Sequence, residues 1–375
     1  MSAANMAADI PINSQVINIR QLELAIRATI EHKLRRSIKA VGPTGIGKSE
    51  VVHQIAASYK MKVIDVRLLL WSLTDLKGIP YPDDTQTYTR WLINDILPRV
   101  ERDGEYGILL LEELDDAPKA VRAAAYQLTL DRKLGSYELP DGWIIIATSN
   151  REQDGGAYTS PLIPLNDRFE IHEVEPDFPT WRDYAIKVGY NPTVVSYLSA
   201  NQIALYTYDP AATAEVVFAT PRSWVAVCDL LNAGLNGEVL RIKAQANVGS
   251  VQATKFLEYT KNVSLLPNID MVINGQYDEA AAASFMRGLD VYYLLVQNLI
   301  HAVGTEFRNE GEKWRSYTDN SVNFVGHISG FPLELKKSYV DQLCEVNKVI
   351  EKHVYNDSRS QQMTKLLQEL DYIKV

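Results

Sequence analysis

The fold of this chain is decided by Gly42-Pro43-Thr44-Gly45-Ile46-Gly47-Lys48-Ser49, or GPTGIGKS in one-letter code. The stretch matches the pattern G-x-x-x-x-G-K-[S/T], in which glycines let the backbone turn sharply and point its N–H groups at phosphate oxygens. In that chemistry Lys48 reaches the β- and γ-phosphates of a nucleoside triphosphate, and the Ser49 hydroxyl binds Mg²⁺. All eight residues are therefore predicted to form a triphosphate site.

The residues on either side of this loop have the pattern that such a site requires. Residues 37–41 form a short strand-like run, and residues 49–57 have the apolar spacing of a helix. The N-terminus of that helix would carry the bound anion. A chance glycine turn is the alternative, and the strand before it and the helix after it argue against that alternative.

Further strands are predicted along the first half of the chain. Leu22, Ile26, Ile30 and Leu34 recur at every fourth position and predict a helix that leads into the first strand. Because short apolar strands then alternate with helices, we expect a parallel sheet covered on both faces, with ligands at the carboxyl ends of its strands. The four further strands are predicted at 61–66, 107–111, 143–148 and 169–174.

Beyond Pro176 the strand patterns fade and helical patterns dominate. They include two long apolar stretches, 279–303 and 333–355, and a linker is predicted at 266–270. The shorter helices are predicted at 180–187, 192–199, 222–231 and 251–261, with a last one at the C-terminus. We therefore predict three domains: an α/β core over 1–176, a helical domain over 177–262 and a helical C-terminal extension over 263–375.

The composition limits the class of protein. The chain has 375 residues and a formal net charge of −9, which disfavours a broad nucleic-acid or anionic-membrane surface. Its two cysteines, Cys228 and Cys344, are predicted to be reduced structural thiols, and its six histidines lack the spacing of a zinc site. Since neither a signal-peptide pattern nor a bilayer-length apolar run is present, we expect a cytoplasmic protein with no membrane segment.

Two carboxylates follow the third strand, and they suggest how a triphosphate would be used. After the apolar run 108–111 come Glu112 and Glu113. In phosphoryl-transfer sites the first acid holds the Mg²⁺ shell and the second polarises the attacking water. We therefore expect Glu113 to be the hydrolytic base and Glu112 to reach a metal-bound water. The alternative is an acidic turn in solvent.

Three more polar residues stand at ends of predicted elements. Asn150 follows the fourth strand and could orient water, although alone it would more often form a turn. Arg168 precedes the fifth strand, where it could instead pair with Asp167 or Glu170. Arg222 is the second residue of a helix that Thr220-Pro221 would begin, a position where the helix dipole favours an acid. An arginine there suggests a bound anion.

Taken together, these stretches resemble the AAA+ ATPases, and more narrowly the MoxR family of the helix-2-insert clade. The resemblance covers roughly residues 16 to 260, and it rests on GPTGIGKS (42–49), ILLLEELDDAP (108–118), ATSN (147–150), PLNDRF (164–169) and TPRS (220–223). It implies a five-stranded parallel sheet in the order 5-1-4-3-2, a helical lid formed by the second domain, and hydrolysis of ATP with Mg²⁺. In ILLLEELDDAP, however, Asp115 and Asp116 replace the usual Asn-Arg pair.

The resemblance also implies roles for the polar residues singled out above. Some would hold the nucleotide and its metal, some would complete the hydrolytic site, and one would act on the neighbouring subunit. They are Lys48 and Ser49 (Walker A), Glu112 and Glu113 (Walker B), Asn150 (sensor 1), Arg168 (arginine finger) and Arg222 (sensor 2).

Two β-hairpin insertions are implied as well. The first spans 74–91 and the second 133–139, where residues alternate around a central Gly-Ser. In rings of this type both hairpins point towards the central pore or one face. Four aromatic residues are therefore candidates for gripping a client, with packing onto the core the equal alternative: Tyr81, Tyr88, Trp91 and Tyr137.

Three functions are compatible with these patterns. The leading hypothesis is an ATP hydrolase that works as a hexameric ring to remodel or mature a protein, with a von Willebrand factor A domain protein as the partner that the resemblance implies. The second is a nucleic-acid motor or loader, which the acidic composition disfavours. The third is a nucleotide-gated scaffold with weak hydrolysis, motivated by Glu112. Basic residues that could line a pore in the second case are Lys77, Arg90, Arg132 and Lys133.

Overall fold

A computed structural model of the chain describes residues 16–151, 167–210, 216–283, 285, 288–356 and 361–372. The chain forms two compact units, Met1–Pro176 and Asp177–Val375. Residues 1–15, which carry little pattern, and residues 164–166 of the PLNDRF stretch lie outside the described residues.

The first unit alternates helices with strands. Its described helices are α1 (Ile19–Glu31), α2 (Lys48–Ser58), α3 (Leu73–Lys77), α4 (Val100–Asp103) and α5 (Lys119–Asp131). Its described strands are β1 (Ser37–Val41), β2 (Lys62–Arg67), β3 (Ile79–Pro82), β4 (Thr89–Leu92), β5 (Tyr106–Glu112), β6 (Lys133–Leu134), β7 (Tyr137–Glu138), β8 (Gly142–Ser149) and β9 (Phe169–Glu173). The five strands predicted from apolar runs are all present.

Five parallel strands form the central sheet, in the order β2-β5-β8-β1-β9. If these five strands alone are numbered 1 to 5 along the chain, β9 is strand 5 and β1 is strand 1. Read from β9, their order is then the predicted 5-1-4-3-2. The register runs from Ile38↔Ile146 to Val41↔Ser149 between β1 and β8, so these two strands end side by side. Strand β5 is buried over 108–111, as expected for a parallel strand with both faces covered. The predicted α/β fold class is confirmed.

Helix α1 precedes the sheet and is shorter than its apolar pattern predicts. Asn18 caps it by accepting a hydrogen bond from the Gln21 N–H, and Leu22 and Ile26 are buried. The helix ends at Glu31, so Leu34 lies beyond it with 48% of its surface exposed. The prediction that Leu34 continues the apolar helical face is therefore wrong.

Both hairpins predicted in the first unit are present. Strands β3 and β4 pair antiparallel from Ile79↔Leu92 to Pro82↔Thr89, and β6 pairs with β7 around Gly135, whose φ is 61°. At the base of the first hairpin, a Cβ on Gly78 would lie 2.0 Å from the Leu92 carbonyl oxygen. Only glycine fits that approach between the two chain segments.

The described part of the second unit consists of helices. They are α6 (Phe178–Val188), α7 (Pro192–Ala200), α8 (Pro221–Asn232), α9 (Gly237–Val248), α10 (Ser250–Thr260), α11 (Ile269–Ile273), α12 (Glu279–Ala283), α13 (Leu289–Arg308), α14 (Trp314–His327), α15 (Leu333–Val346), α16 (Lys348–Asn356) and α17 (Gln361–Glu369). Helices α9 and α14 were not predicted from the sequence.

Several predicted boundaries in this unit are wrong for local reasons. The stretch 279–303 contains two helices, because Gly288 has an extended backbone and begins α13. The stretch 333–355 is also divided, since Asn347 has a φ of −165° between α15 and α16. The predicted linker at 266–270 holds the start of α11, which Asn268 caps through the Met271 N–H.

Two clusters of buried apolar residues stabilise the second unit. One is centred on Tyr197, Trp224 and Phe256, whose ring centroids lie 5.4–5.6 Å apart. The other gathers α13 to α17 and includes Tyr339. Both cysteines are free thiols, and burial raises the pKa of each to about 12. Such thiols carry little thiolate, which agrees with the structural role predicted for Cys228 and Cys344.

Candidate nucleotide site

The loop between β1 and α2 needs its glycines for geometric reasons. Gly45 and Gly47 have φ values of 75° and 104°, in the left-handed region where a Cβ is strained. Gly42 has a different constraint, because a Cβ there would lie 2.2 Å from the Val174 carbonyl oxygen just after β9. The turn and the start of α2 at Lys48 together form the strand–loop–helix arrangement that the motif predicts.

Lys48 is held inside this loop. Its side chain is buried, and its ammonium donates hydrogen bonds to the carbonyl oxygens of Gly42 and Pro43, both at 2.7 Å. A third acceptor is Asn150 Oδ1, at 3.4 Å. The cation is therefore positioned at the mouth of the loop, where it can bind an anionic oxygen.

Asn150 reaches Lys48 because of the strand order. Strands β1 and β8 are neighbours, and the Gly42 N–H donates to the Ser149 carbonyl oxygen at 3.1 Å. The residue that follows β8 therefore lies beside the residues that follow β1. The structure thus brings together Lys48 and Asn150, which are 102 positions apart in sequence.

The two predicted Walker B residues have different environments. Glu112 ends β5, is buried, and accepts from the Arg67 guanidinium at 3.2 Å. Glu113 has a left-handed backbone, with a φ of 56°, and begins the turn that leaves the sheet. The hydrogen bond to Glu112 raises the pKa of Arg67, with the charges of Glu112 and Glu113 also contributing. Arg67 therefore lies close to both acids, a relationship that the sequence did not suggest.

Two acids beyond Glu113 also face the site region, although neither was predicted as a site residue. Asp115 is buried and pairs with Lys39 of β1, with 2.7 Å between Nζ and a carboxylate oxygen. Asp116 lies in the same turn and is half-buried. Burial raises the pKa of Asp116, as does the charge of Asp115, whereas the charges of Arg122 and Lys48 oppose this shift. The sequence did carry one signal for these two acids, because they replace the Asn-Arg pair that is usual at these positions in the family it resembles.

The remaining predicted site residues are described within their own units. Ser49 is half-buried in the first turn of α2. Arg168, just before β9, donates to the Tyr126 carbonyl oxygen at 3.1 Å, while the neighbouring Asp167 faces Arg36 at 3.9 Å. Arg222 belongs to the second unit, in the first turn of α8, where Thr220 forms a capping box with Ser223.

The four aromatic residues of the hairpins fall into two groups. Tyr81 and Tyr88 are exposed, Tyr88 by 73%, and Trp91 is half-buried with the Lys77 ammonium 4.6 Å from its ring centroid. Tyr137 is buried and donates to the Pro98 carbonyl oxygen at 2.8 Å. The interpretation of Tyr137 as a client-gripping residue is therefore wrong, because its ring packs in the core.

Two of the basic residues considered for a nucleic-acid pore have structural partners. Arg132 donates to the carbonyl oxygens of Pro140 and Trp143, both at 2.7 Å, and burial lowers its pKa. Lys133 faces Glu138 across the second hairpin at 3.3 Å. These contacts do not favour a basic pore lining at the second hairpin.

The described residues also test two classes of site that the sequence disfavours. Across them, no group of three or more His, Cys, Asp or Glu side chains is arranged to hold a metal ion. Within the same described ranges, no helix has the length and apolar character that crossing a membrane requires.

No protein-family model and no curated protein matches the chain. Among solved structures, the chain is similar to NtrX from Brucella abortus in complex with ADP, at 15% identity over 80% of this chain and 67% of that one, with a TM-score of 0.38. It is also similar to a mutant of RuvB from Thermotoga maritima, at 17% identity over 83% of this chain and 84% of that one, with a TM-score of 0.36. At these scores the similarities decide no function.

Proposed function

We propose that this chain is an ATP hydrolase of the AAA+ class that binds ATP at residues 42–49. The observation that carries the proposal is the position of Lys48: a buried ammonium at the mouth of a glycine loop, 3.4 Å from Oδ1 of Asn150, which follows the adjacent strand. A buried cation beside N–H groups at a helix N-terminus is suited to a polyphosphate. The left-handed glycines and the close approach at Gly42 support the same use of the loop.

The roles of individual residues follow from this proposal. Lys48 binds the β- and γ-phosphate oxygens, which replace its contacts with the loop carbonyls. Glu113 accepts a proton from the attacking water, and Asn150 orients that water beside the γ-phosphate. Ser49, with Glu112 through a water, would hold Mg²⁺, which supplies charge neutralisation of the phosphate oxygens when bound. The carboxylate and hydroxyl oxygens of these residues fit such a hard cation.

Assembly is part of the proposal. We propose that the chain works as a homo-oligomeric ring, a hexamer, in which Arg168 completes the site of the neighbouring subunit and Arg222 acts as sensor 2. Arginines placed in this way contribute about 10³–10⁵ to the rate in other NTPases. The half-buried guanidinium of Arg168, held by the Tyr126 carbonyl at 3.1 Å, supports a fixed orientation for this side chain.

The proposed output is the remodelling or maturation of another protein, by analogy with the MoxR family. Tyr88 is the most exposed of the hairpin aromatics and is the first candidate for contact with a client. A protein with a von Willebrand factor A domain is the partner class that the analogy supports. Capture of such a protein by the ATP-bound chain, and loss of that capture in Tyr88→Ala, would support this part of the proposal.

The Arg67–Glu112 pair favours one alternative, a nucleotide-gated scaffold with weak hydrolysis. The guanidinium lies 3.2 Å from the carboxylate that would otherwise face the metal shell. A glutamate engaged in this way would slow turnover while leaving nucleotide binding intact.

A steady-state ATPase assay separates these two functions. We expect ATP hydrolysis by the wild-type protein and its loss in Glu113→Gln, with nucleotide binding retained. Glu105→Gln is the matched control, because Glu105 is an exposed glutamate of the same unit. Binding without turnover in the wild type would select the scaffold, and the same turnover in Glu113→Gln as in the wild type would exclude Glu113 as the base.

A further inference from the structure

Arg151 joins the carboxyl end of β8 to the end of β9. Its guanidinium nitrogen Nη1 lies 3.2 Å from a carboxylate oxygen of Glu173 and also contacts the carboxylate of Glu175. Only 15% of the Arg151 side chain is exposed, and a charge so far removed from water needs partners of opposite sign. Arg151, Glu173 and Glu175 therefore form one ion-pair cluster, called here the strand-end clamp.

The two carboxylates of the strand-end clamp are carried by regular backbone. Residues two apart on an extended strand have their side chains on the same face, so Glu173 and Glu175 can both reach one guanidinium. The extended backbone continues past β9, where Val174 pairs with Ile17. The Ile17 N–H donates to the Glu173 carbonyl oxygen at 2.9 Å, and the Ile17 carbonyl oxygen accepts from the Glu175 N–H at 3.0 Å. Arg151 thus contacts a fixed anchor.

The strand-end clamp passes the point where the glycine loop begins. Strand β1 lies between β8 and β9, and its last residue, Val41, is in register with Ser149 on one side and Glu173 on the other. Backbone hydrogen bonds already hold the chain here. The Gly42 N–H donates to the Ser149 carbonyl oxygen at 3.1 Å, and the Val41 carbonyl oxygen accepts from the Val174 N–H at 2.7 Å. The start of the loop therefore has anchors outside the clamp.

Asn150 is anchored differently, because it lies between the last residue of β8 and Arg151. Strand β8 ends at Ser149, so the sheet fixes the chain just before Asn150 and the strand-end clamp fixes it just after. Between these two anchors, Asn150 Oδ1 lies 3.4 Å from the Lys48 ammonium. Loss of the clamp would leave this residue held by the sheet on one side only.

We propose that Arg151 is a positioning residue for Asn150, acting through its ion pairs with Glu173 and Glu175. This inference rests on the proposed function and deepens it, since Asn150 is the residue proposed to orient the attacking water. Without the cation, the two carboxylates would repel each other and the end of β8 would lose its tie to β9. A displaced amide would misplace the water and slow the chemical step, whereas the glycine loop would still bind ATP.

Steady-state kinetics test this role, with kcat and ATP affinity measured separately. We expect Arg151→Ala to lower kcat by about 10–10²-fold, the scale of a contact misplaced by about 1 Å, and to leave ATP affinity unchanged. Because both carboxylates contact one guanidinium nitrogen, Arg151→Lys can keep the cluster and should retain most of kcat. In an Asn150→Ala background, Arg151→Ala should cause no further loss.

Arg35→Ala is the matched control for these kinetics. Arg35 pairs with Asp141 at 3.3 Å, and the two residues precede β1 and β8. This ion pair therefore joins the opposite ends of two of the strands that the strand-end clamp passes or joins. We expect its loss to leave kcat and ATP affinity unchanged.

A second measurement does not depend on turnover. We expect hydrogen exchange of the peptide 142–150, followed by mass spectrometry, to be faster in Glu173→Gln/Glu175→Gln than in the wild type and unchanged in Arg35→Ala. Equal exchange in the wild type and the double variant, wild-type kcat in Arg151→Ala, or a further loss in the Asn150→Ala background would overturn the role of Arg151. Absence of ATP turnover in the wild type, with faster exchange in the double variant, would instead overturn the proposed hydrolysis, so the two failures are distinguishable.

Discussion

Lys39 and Asp115 form a buried ion pair inside the α/β unit, with 2.7 Å between Nζ and the carboxylate and only 4% of each side chain exposed. The pair joins strand β1 of the central sheet to the turn that follows β5. Both strands lead into the candidate site, so this contact fixes the relative positions of the glycine loop and the acidic turn. Each charge depends on the other, because neither has water to solvate it.

Breaking this pair from one side should destabilise the protein strongly. We expect Lys39→Met to lower the free energy of unfolding by about 3–5 kcal/mol, because Asp115 would remain buried without its cation. The double variant Lys39→Met/Asp115→Leu should recover much of that loss. Urea unfolding followed by circular dichroism measures both, with Lys60→Met at an exposed lysine as the control. A Lys39→Met variant as stable as that control would contradict the assignment.

Arg67 should weaken Mg²⁺ binding at Glu112, because it competes with the metal for that carboxylate. Because the guanidinium lies 3.2 Å from the Glu112 carboxylate, Arg67→Ala should release that carboxylate and lower the Mg²⁺ concentration needed for half-maximal ATP turnover. Arg67 is largely exposed and solvent screens its charge, so the change should be small, about fivefold or less. Arg20→Ala, also at an exposed arginine, controls for net charge. A higher Mg²⁺ requirement in Arg67→Ala would argue that Arg67 supports the metal site instead.

Arg168 should separate nucleotide binding from turnover. We expect Arg168→Ala to bind ATP as the wild type does and to lose turnover by about 10³-fold, since a missing arginine finger removes charge stabilisation from the neighbour's site. Mixing Arg168→Ala with Glu113→Gln subunits should restore part of the activity, because some sites would then pair an intact base with an intact arginine. The control is Arg35→Ala, whose side chain makes an exposed ion pair with Asp141. Wild-type turnover in Arg168→Ala would rule out the finger.

Asp103 should contribute a pH-dependent part of the stability of the first unit. Its side chain is fully buried between Arg102 and Lys62, each at 2.6 Å, and these contacts hold its pKa below the ordinary value of 3.8, the Arg102 bond most of all. Because the pKa of Asp103 is lowered in the folded state, the ionised carboxylate adds to the free energy of unfolding. This stabilisation is complete above pH 3.8 and is lost as the pH falls from 3.8 through the lowered pKa.

The measurement for Asp103 compares unfolding midpoints at two pH values. Asp103→Asn should be less stable than the wild type at neutral pH, and the difference should shrink in acid, where the wild-type carboxylate also becomes protonated. The exposed aspartate variant Asp131→Asn should show neither effect. A difference that stays constant between the two pH values would show that Asp103 acts through packing rather than charge.

Much of the first unit could be predicted from its sequence, because buried parallel strands are continuous apolar runs and the glycine loop has a strict spacing. The position of Asn150 beside Lys48 also follows, since it depends only on strand order. The partners of Glu112 and Asp115 could not be predicted. These contacts join side chains on different strands and turns, and a single sequence carries no signal for which acid faces which cation.

The helix boundaries of the second unit were harder to predict from the sequence, for a related reason. Asn347 and Gly288 interrupt patterns that read as continuous helices, because apolar periodicity persists across a break when both helices pack on the same core. Tyr137 illustrates the same limit. Its ring is buried, but the sequence of a hairpin does not show whether an aromatic ring points into the core or into solvent.

The most direct test of the central claim is a titration of the protein with a fluorescent ATP analogue, comparing the wild type with Lys48→Ala. Lys119→Ala is the matched control, at an exposed lysine that begins α5. We predict saturable binding that is competed by ATP in the wild type and in Lys119→Ala, and loss of that binding in Lys48→Ala. Binding of equal affinity in all three proteins, or no binding in the wild type, would contradict a triphosphate site at residues 42–49.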